Sequence, residues 1–177
     1  MGLEMKAKKS PLSLLTIAGS KGRVTQRYPF EEPLMTNEFR GKIEIDESKC
    51  IGCGACVNAC PPNALELLSS SSGTKTLRYF IGRCIYCWRC IDVCPVGAIK
   101  GTREFELATD DVSDLYELLI HEEAKCSVCN SPYATVRMVR YVATRSPSTE
   151  GYVSMDPKCR QEKFVKAIEM RFGGLSA

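Results

Sequence analysis

The chain has 177 residues, a formal net charge of +3 and eleven cysteines. That length fits one domain of ordinary size, or a small domain with extensions. No stretch approaches the roughly 18 apolar residues of a membrane span. The apolar run Leu12, Leu14, Leu15, Ile17 is broken by Ser, Thr and Pro, so neither a secretory signal nor a secreted disulfide scaffold is expected. The expectation is a soluble or peripheral chain in a reducing compartment.

Residues 1–42 carry eight Lys/Arg against four Asp/Glu and are punctuated by Pro11, Gly19, Gly22, Pro29 and Pro33. Pro11 suits the first position of a short helix, with Leu12, Leu15 and Ile17 on a partly apolar face. From Arg23 to Gly41 the sequence reads as extended chain, so this segment is expected to be an arm laid over another surface.

Residues 43–108 are expected to form a domain built on an internal repeat. Cys50-x2-Cys53-x2-Cys56-x3-Cys60-Pro61 recurs 34 residues later as Cys84-x2-Cys87-x2-Cys90-x3-Cys94-Pro95. The flanks repeat too: Lys49-Cys50-Ile51 parallels Arg83-Cys84-Ile85, and Asn63-Ala64-Leu65 parallels Gly97-Ala98-Ile99. Ile43 and Ile45, Leu65 and Leu67, then Leu77, Tyr79 and Ile81 alternate with polar residues, which predicts short half-buried strands. Ser69 to Gly73 reads as a loop between the halves.

Each run has the ligand spacing of bacterial ferredoxins, in which the fourth cysteine serves the other cluster. Two-residue gaps let three thiolates converge on one cubane. Gly52 and Gly54 relieve crowding against it, and the proline after the fourth cysteine fixes a turn that faces away. Two [4Fe–4S] clusters are therefore expected, one on Cys50, Cys53, Cys56 and Cys94, the other on Cys84, Cys87, Cys90 and Cys60. Ile51, Val57, Ile85, Tyr86, Trp88 and Ile91 are expected to wall them from water. Zinc sites more often use ligand pairs split by a longer insert. Each cluster with its thiolates carries about −2, which brings the loaded protein to roughly −1 and weakens a nucleic-acid reading.

Residues 109–177 are expected to be a helical extension. Asp110 and Asp111 lead Val112, Leu115, Leu118 and Leu119 at a spacing close to one helix face. Pro157 opens a second helix with Phe164, Val165, Ile168 and Phe172 inward, ended by Gly173-Gly174, and Tyr133 to Tyr141 suggests a third. Cys126-x2-Cys129, continued by Asn130-Ser131-Pro132, is half of a zinc-ribbon or rubredoxin-like knuckle. Cys159 is its expected third ligand for one Zn or Fe ion. His121, the only histidine, and Asp156 are the two candidates for the fourth.

Tyr28-Pro29, then Phe39-Arg40-Gly41-Lys42, then the paired motifs resemble the ferredoxin-type subunit of complex I and of group 4 membrane-bound hydrogenases, over roughly residues 25–108. Cys126 to Tyr133 and Pro157-Lys158-Cys159-Arg160-Gln161 narrow the resemblance to the formate-hydrogenlyase type and related archaeal complexes, including sulfane reductases. The resembled family has a second C-x-x-C near position 159, where this chain has Asp156.

The resemblance implies an α+β fold with a pseudo-twofold two-cluster core, an N-terminal arm and a C-terminal extension bearing the knuckle. It implies a relay at the cytoplasmic face of the membrane. Electrons would come from soluble ferredoxin or a donor subunit. They would leave to the single-cluster small subunit beside the large catalytic subunit, with membrane subunits moving ions. The alternatives are a ferredoxin-like piece of a soluble 2-oxoacid oxidoreductase and a non-redox zinc adaptor. With one histidine and no Ser/His/Asp or Cys/His set, no substrate-converting site is expected in this chain. Metal analysis separates the classes: about eight irons with matching sulfide per chain is the expected result, and zinc alone would end the relay reading.

Overall fold

The computed structural model describes residues 11–172, and Gly173 and Gly174 lie outside them. The chain divides into two compact units, one ending at Phe39 and the other beginning at Arg40. In the first, helix α1 spans Pro11–Lys21 with Leu12, Leu14 and Leu15 exposed. Beyond it the backbone is irregular. Arg27 O accepts from Phe30 N and Glu31 N, and Gln26 Oε1 accepts from Leu34 N at 3.1 Å.

The second unit mixes strands and short helices. In chain order they are β1 (Ile43–Ile45), α2 (Ala55–Ala59), β2 (Leu65–Ser69), β3 (Thr74–Phe80), α3 (Arg89–Asp92) and β4 (Ile99–Gly101). They continue as β5 (Tyr116–Lys125), β6 (Pro132–Thr135), α4 (Val136–Arg145), α5 (Glu150–Val153) and α6 (Pro157–Phe172). β1 and β4 pair antiparallel, Ile43 against Gly101. The other strands form an antiparallel sheet of order β2-β3-β5-β6.

β3 shows why the sequence folds this way. Its pleat sends Leu77 and Tyr79 inward and Arg78 outward, where it meets Glu66 across the β2 pairing. Ile43, Ala64, Leu65, Leu77, Tyr79, Ala98 and Ile99 close one core, and Cys50, Cys56 and Cys90 are buried among them. Each large aliphatic side chain so buried stabilises by about 1.5–3 kcal/mol. Ile45 reaches the same core, whereas Ile81 lies one residue past β3 in a 3₁₀ turn.

The helix expected from Asp110 to Leu119 does not form. Val112–Leu115 is a single 3₁₀ turn, capped by the Asp111 carboxylate accepting from Ser113 N at 2.8 Å. From Tyr116 the chain becomes β5, paired with β3 from Thr74↔Glu122 to Phe80↔Tyr116. Leu118 and Leu119, expected on one helix face, point to opposite faces of the sheet, 60% and 7% exposed. Long-range pairing with a well-formed strand outweighs a local apolar spacing that fits either period.

The region around Tyr133 to Tyr141 begins as strand β6. It turns helical only at Val136, with Thr135 Oγ1 capping Met138 N at 3.2 Å. α6 starts at Pro157 as expected, but Phe164, Val165 and Ile168 are exposed rather than inward.

Candidate metal centres

The two cysteine runs share one backbone design. Gly52 and Gly54 adopt positive φ, 64° and 74°, and the residues 34 places later do the same: Tyr86 at 52° and Trp88 at 61°. A third pair follows, Asn63 at 51° and Gly97 at 59°. These left-handed steps cost a non-glycine residue about 1–2 kcal/mol. The second run bears that cost while Trp88 Nε1 donates to Gly41 O at 3.1 Å and the Arg40 guanidinium lies 5.7 Å from its ring centre. After each left-handed step a short helix, α2 or α3, carries the third cysteine of its run into the core. The fourth cysteines match too. Ala64 N donates to Cys60 Sγ and Ala98 N to Cys94 Sγ, both at 3.2 Å.

Two small cavities lie beneath these loops. One is lined by Cys50, Cys53, Cys56 and Cys94, with Leu77, Val96 and Ile99. The other is lined by Cys60, Cys84, Cys87 and Cys90, with Leu65, Tyr79 and Trp88. All eleven cysteines are free. Of the expected wall residues, Ile51 lines the first cavity and Ile85 and Trp88 the second. Val57 and Ile91 pack against the core, while Tyr86 is half-buried outside both linings.

Burial pushes the Cys56 thiol up to about 12, helped by Cys53, Cys50 and Cys90. Burial likewise pushes Cys90 up to about 11, with Cys84 adding to it, and raises Cys50. Thiols gathered this tightly ionise only when a cation shares their charge, which is the chemistry of a cluster ligand. Four sulfurs around each cavity fit an iron–sulfur cubane, and the backbone N–H groups donating to Cys60 and Cys94 fit its need for hydrogen bonds.

The first loop is also held from outside. Thr135 Oγ1 donates to Ile51 O, and Arg137 Nη1 donates to Glu47 O and, at 3.2 Å, to Cys50 O. In the second run, Arg40 Nη1 donates to Cys87 O at 3.1 Å. None of these contacts has a local sequence signal for Thr135 or Arg137, because their partners lie 84 to 90 residues away.

At the C-terminal knuckle, the turn after β5 closes by Asn130 N to Cys126 O at 3.0 Å and Cys126 N to Ser131 O at 2.9 Å, with Asn130 left-handed. The sulfurs of Cys126, Cys129 and Cys159 all lie within 4.8 Å of one another. Asp156 N donates to Cys126 Sγ at 3.2 Å and Val128 N at 3.4 Å. The Asp156 N–H, foremost, holds the Cys126 thiol down at about 6, while Cys159 is pushed up to about 12, first by its hydrogen bond with Cys129. One thiolate-ready sulfur beside two others suits a soft cation.

Neither candidate for a fourth ligand joins this group of three sulfurs. Asp156 turns its carboxylate to Lys158 N at 3.3 Å. His121 is 3% exposed on the inner face of β5, both ring nitrogens lacking a partner, and burial lowers its pKa. A Cβ on Gly52 would sit 3.0 Å from the His121 ring and 2.8 Å from Thr135 Cγ2.

The family described as "4Fe-4S dicluster domain" matches residues 49–98. Formate hydrogenlyase subunit 6 of Escherichia coli (strain K12) is 38% identical over 151 residues, which is 80% of this chain and 84% of that protein. NAD(P)H-quinone oxidoreductase subunit I of Trichodesmium erythraeum (strain IMS101) is 35% identical over 160 residues, 85% of this chain and 77% of that protein. A chain of the membrane-bound sulfane sulfur reductase (MBS), an archaeal respiratory membrane complex, has a TM-score of 0.43 and 27% identity, covering 62% of this chain and 60% of that one.

Gly52→Ala combines a positive φ with a close contact against β6 and β5. It should destabilise the fold by about 1–3 kcal/mol, read as a lower denaturation midpoint of the loaded protein. Gly73→Ala, at positive φ with nothing nearby, should cost less.

Proposed function

Because the chain belongs to the family of 4Fe-4S dicluster subunits that includes formate hydrogenlyase subunit 6 and NAD(P)H-quinone oxidoreductase subunit I, we propose that it is the two-cluster electron relay of a complex I-like membrane complex. The observation that carries this reading is the pair of cavities, each ringed by four cysteines drawn from both runs. Cys50, Cys53, Cys56 and Cys94 would hold one cluster, and Cys84, Cys87, Cys90 and Cys60 the other. A bound [4Fe–4S] cluster supplies reversible one-electron storage. The protein residues fix the sulfurs, donate N–H groups to them and exclude water with Leu77, Val96, Ile99 and Leu65. The matched left-handed positions and the matched Ala64 and Ala98 hydrogen bonds support a pseudo-twofold core.

The donor is soluble ferredoxin or a neighbouring donor subunit. The acceptor is a single-cluster small subunit beside a large catalytic subunit, and the arm to residue 42 docks on these partners. No helix among the described residues is long and apolar enough to cross a membrane, which agrees with a peripheral position on the cytoplasmic side. The knuckle holds one zinc or iron ion on Cys126, Cys129 and Cys159, its fourth ligand drawn from outside that group. The ion's role is to tie the turn after β5 to the first turn of α6.

Cys60→Ser tests the crosswise ligand sets. Electron paramagnetic resonance of the reduced variant should show the cluster on Cys84, Cys87 and Cys90 damaged and the other retained; the reverse pattern would overturn the assignment. Cys159→Ser should remove about one equivalent of zinc or iron, beyond the eight cluster irons, by mass-spectrometric metal analysis. An unchanged metal count would remove the knuckle ion from the reading.

A further inference from the structure

Leu77 and Tyr79 are successive inward residues of β3, and each lines a different cavity: Leu77 the first, Tyr79 the second. Apart from its cysteines, the first cavity has no polar side chain in its lining. The second has two, Trp88 and Tyr79. The Trp88 N–H is committed to Gly41 O, whereas the Tyr79 hydroxyl, on a residue with 0% exposure, makes no hydrogen bond. A buried hydroxyl left unpaired costs about 1–3 kcal/mol, so such groups almost always have a partner. Cys84, a sulfur of the same cavity, lies beside the phenol.

We infer that the Tyr79 hydroxyl donates a hydrogen bond to a sulfur of the second cluster, either Cys84 Sγ or an inorganic sulfide, and thereby raises the reduction potential of that cluster alone. The inference rests on the two-cluster reading above. Hydrogen bonds to cluster sulfurs withdraw charge and favour the reduced, more negative state. No side chain lining the first cavity can supply the same bond. Tyr79 is thus a positioning residue for electrons: it biases where a single electron rests without touching either redox partner.

The test is a redox titration of the full-length, iron-loaded protein, followed by electron paramagnetic resonance. Tyr79→Phe keeps the ring and removes only the oxygen. It should leave eight irons in place and lower one of the two reduction waves by a three- to tenfold change in equilibrium, about 30–60 mV for a one-electron couple. The other wave should stay put. Site-specific 3-fluorotyrosine at position 79, a stronger donor, should raise the same wave. Both waves unmoved, or both moved equally, overturns the inference. If Tyr79→Phe does not load iron, the fluorotyrosine protein alone decides by the presence or absence of that upward shift. A wild-type protein without two [4Fe–4S] signals instead overturns the relay reading, so the two failures are told apart.

Discussion

Sulfur stands where a domain of this size would otherwise place hydrocarbon, and the rest of the structure follows from that. Cys50, Cys56 and Cys90 are buried in the same core as the aliphatic residues around them. Their thiols resist ionisation through burial, so the centre of the molecule is complete only when metal takes their protons' place. β1 and β4, three residues each, do little more than frame the cysteine loops. The left-handed steps at 52, 54, 86 and 88 turn those loops inward, and the Ala64 and Ala98 amides finish the turns.

The C-terminal extension is a lining rather than an appendage. β5 adds itself to β3, and β6 with α4 lays Thr135 and Arg137 on the carbonyls of the first cysteine loop. His121 and Thr135 pack where any side chain at residue 52 would go, which gives Gly52 a second reason to be glycine beyond its φ. The second loop has its own outer support in Arg40 and Gly41, from the start of the unit's sequence. The two halves are alike in backbone and unlike in what covers them.

Much of this was legible in the residues. Ile43 and Ile45, Leu65 and Leu67, Leu77 and Tyr79 alternate cleanly, and strands form there because one face of each is buried. The cysteine spacing carried the cavities, since eight thiols in two matched runs leave few other arrangements. The stretch at Val112 to Leu119 was not legible, because two adjacent leucines fit a helix stripe and a two-sided strand equally, and only the distant β3 decides between them. The Tyr79 hydroxyl was hidden for a related reason. In sequence, tyrosine is one more bulky strand former, and only three dimensions show that it lines a cavity of cysteines with its oxygen unpartnered. His121 was read against the nearby Cys126, yet the pleat turns it toward Gly52, far earlier in the chain.

The first cavity draws its sulfurs from Cys50, Cys53, Cys56 and, far later, Cys94. A ribosome adds about 5–20 residues per second, so the opening trio waits roughly 2–8 s for its completing member. During that interval it offers reactive thiols with no closed pocket around them. Closure of the first cavity is therefore timed by the end of the second run, and its four sulfurs meet only after the whole paired segment has been synthesised.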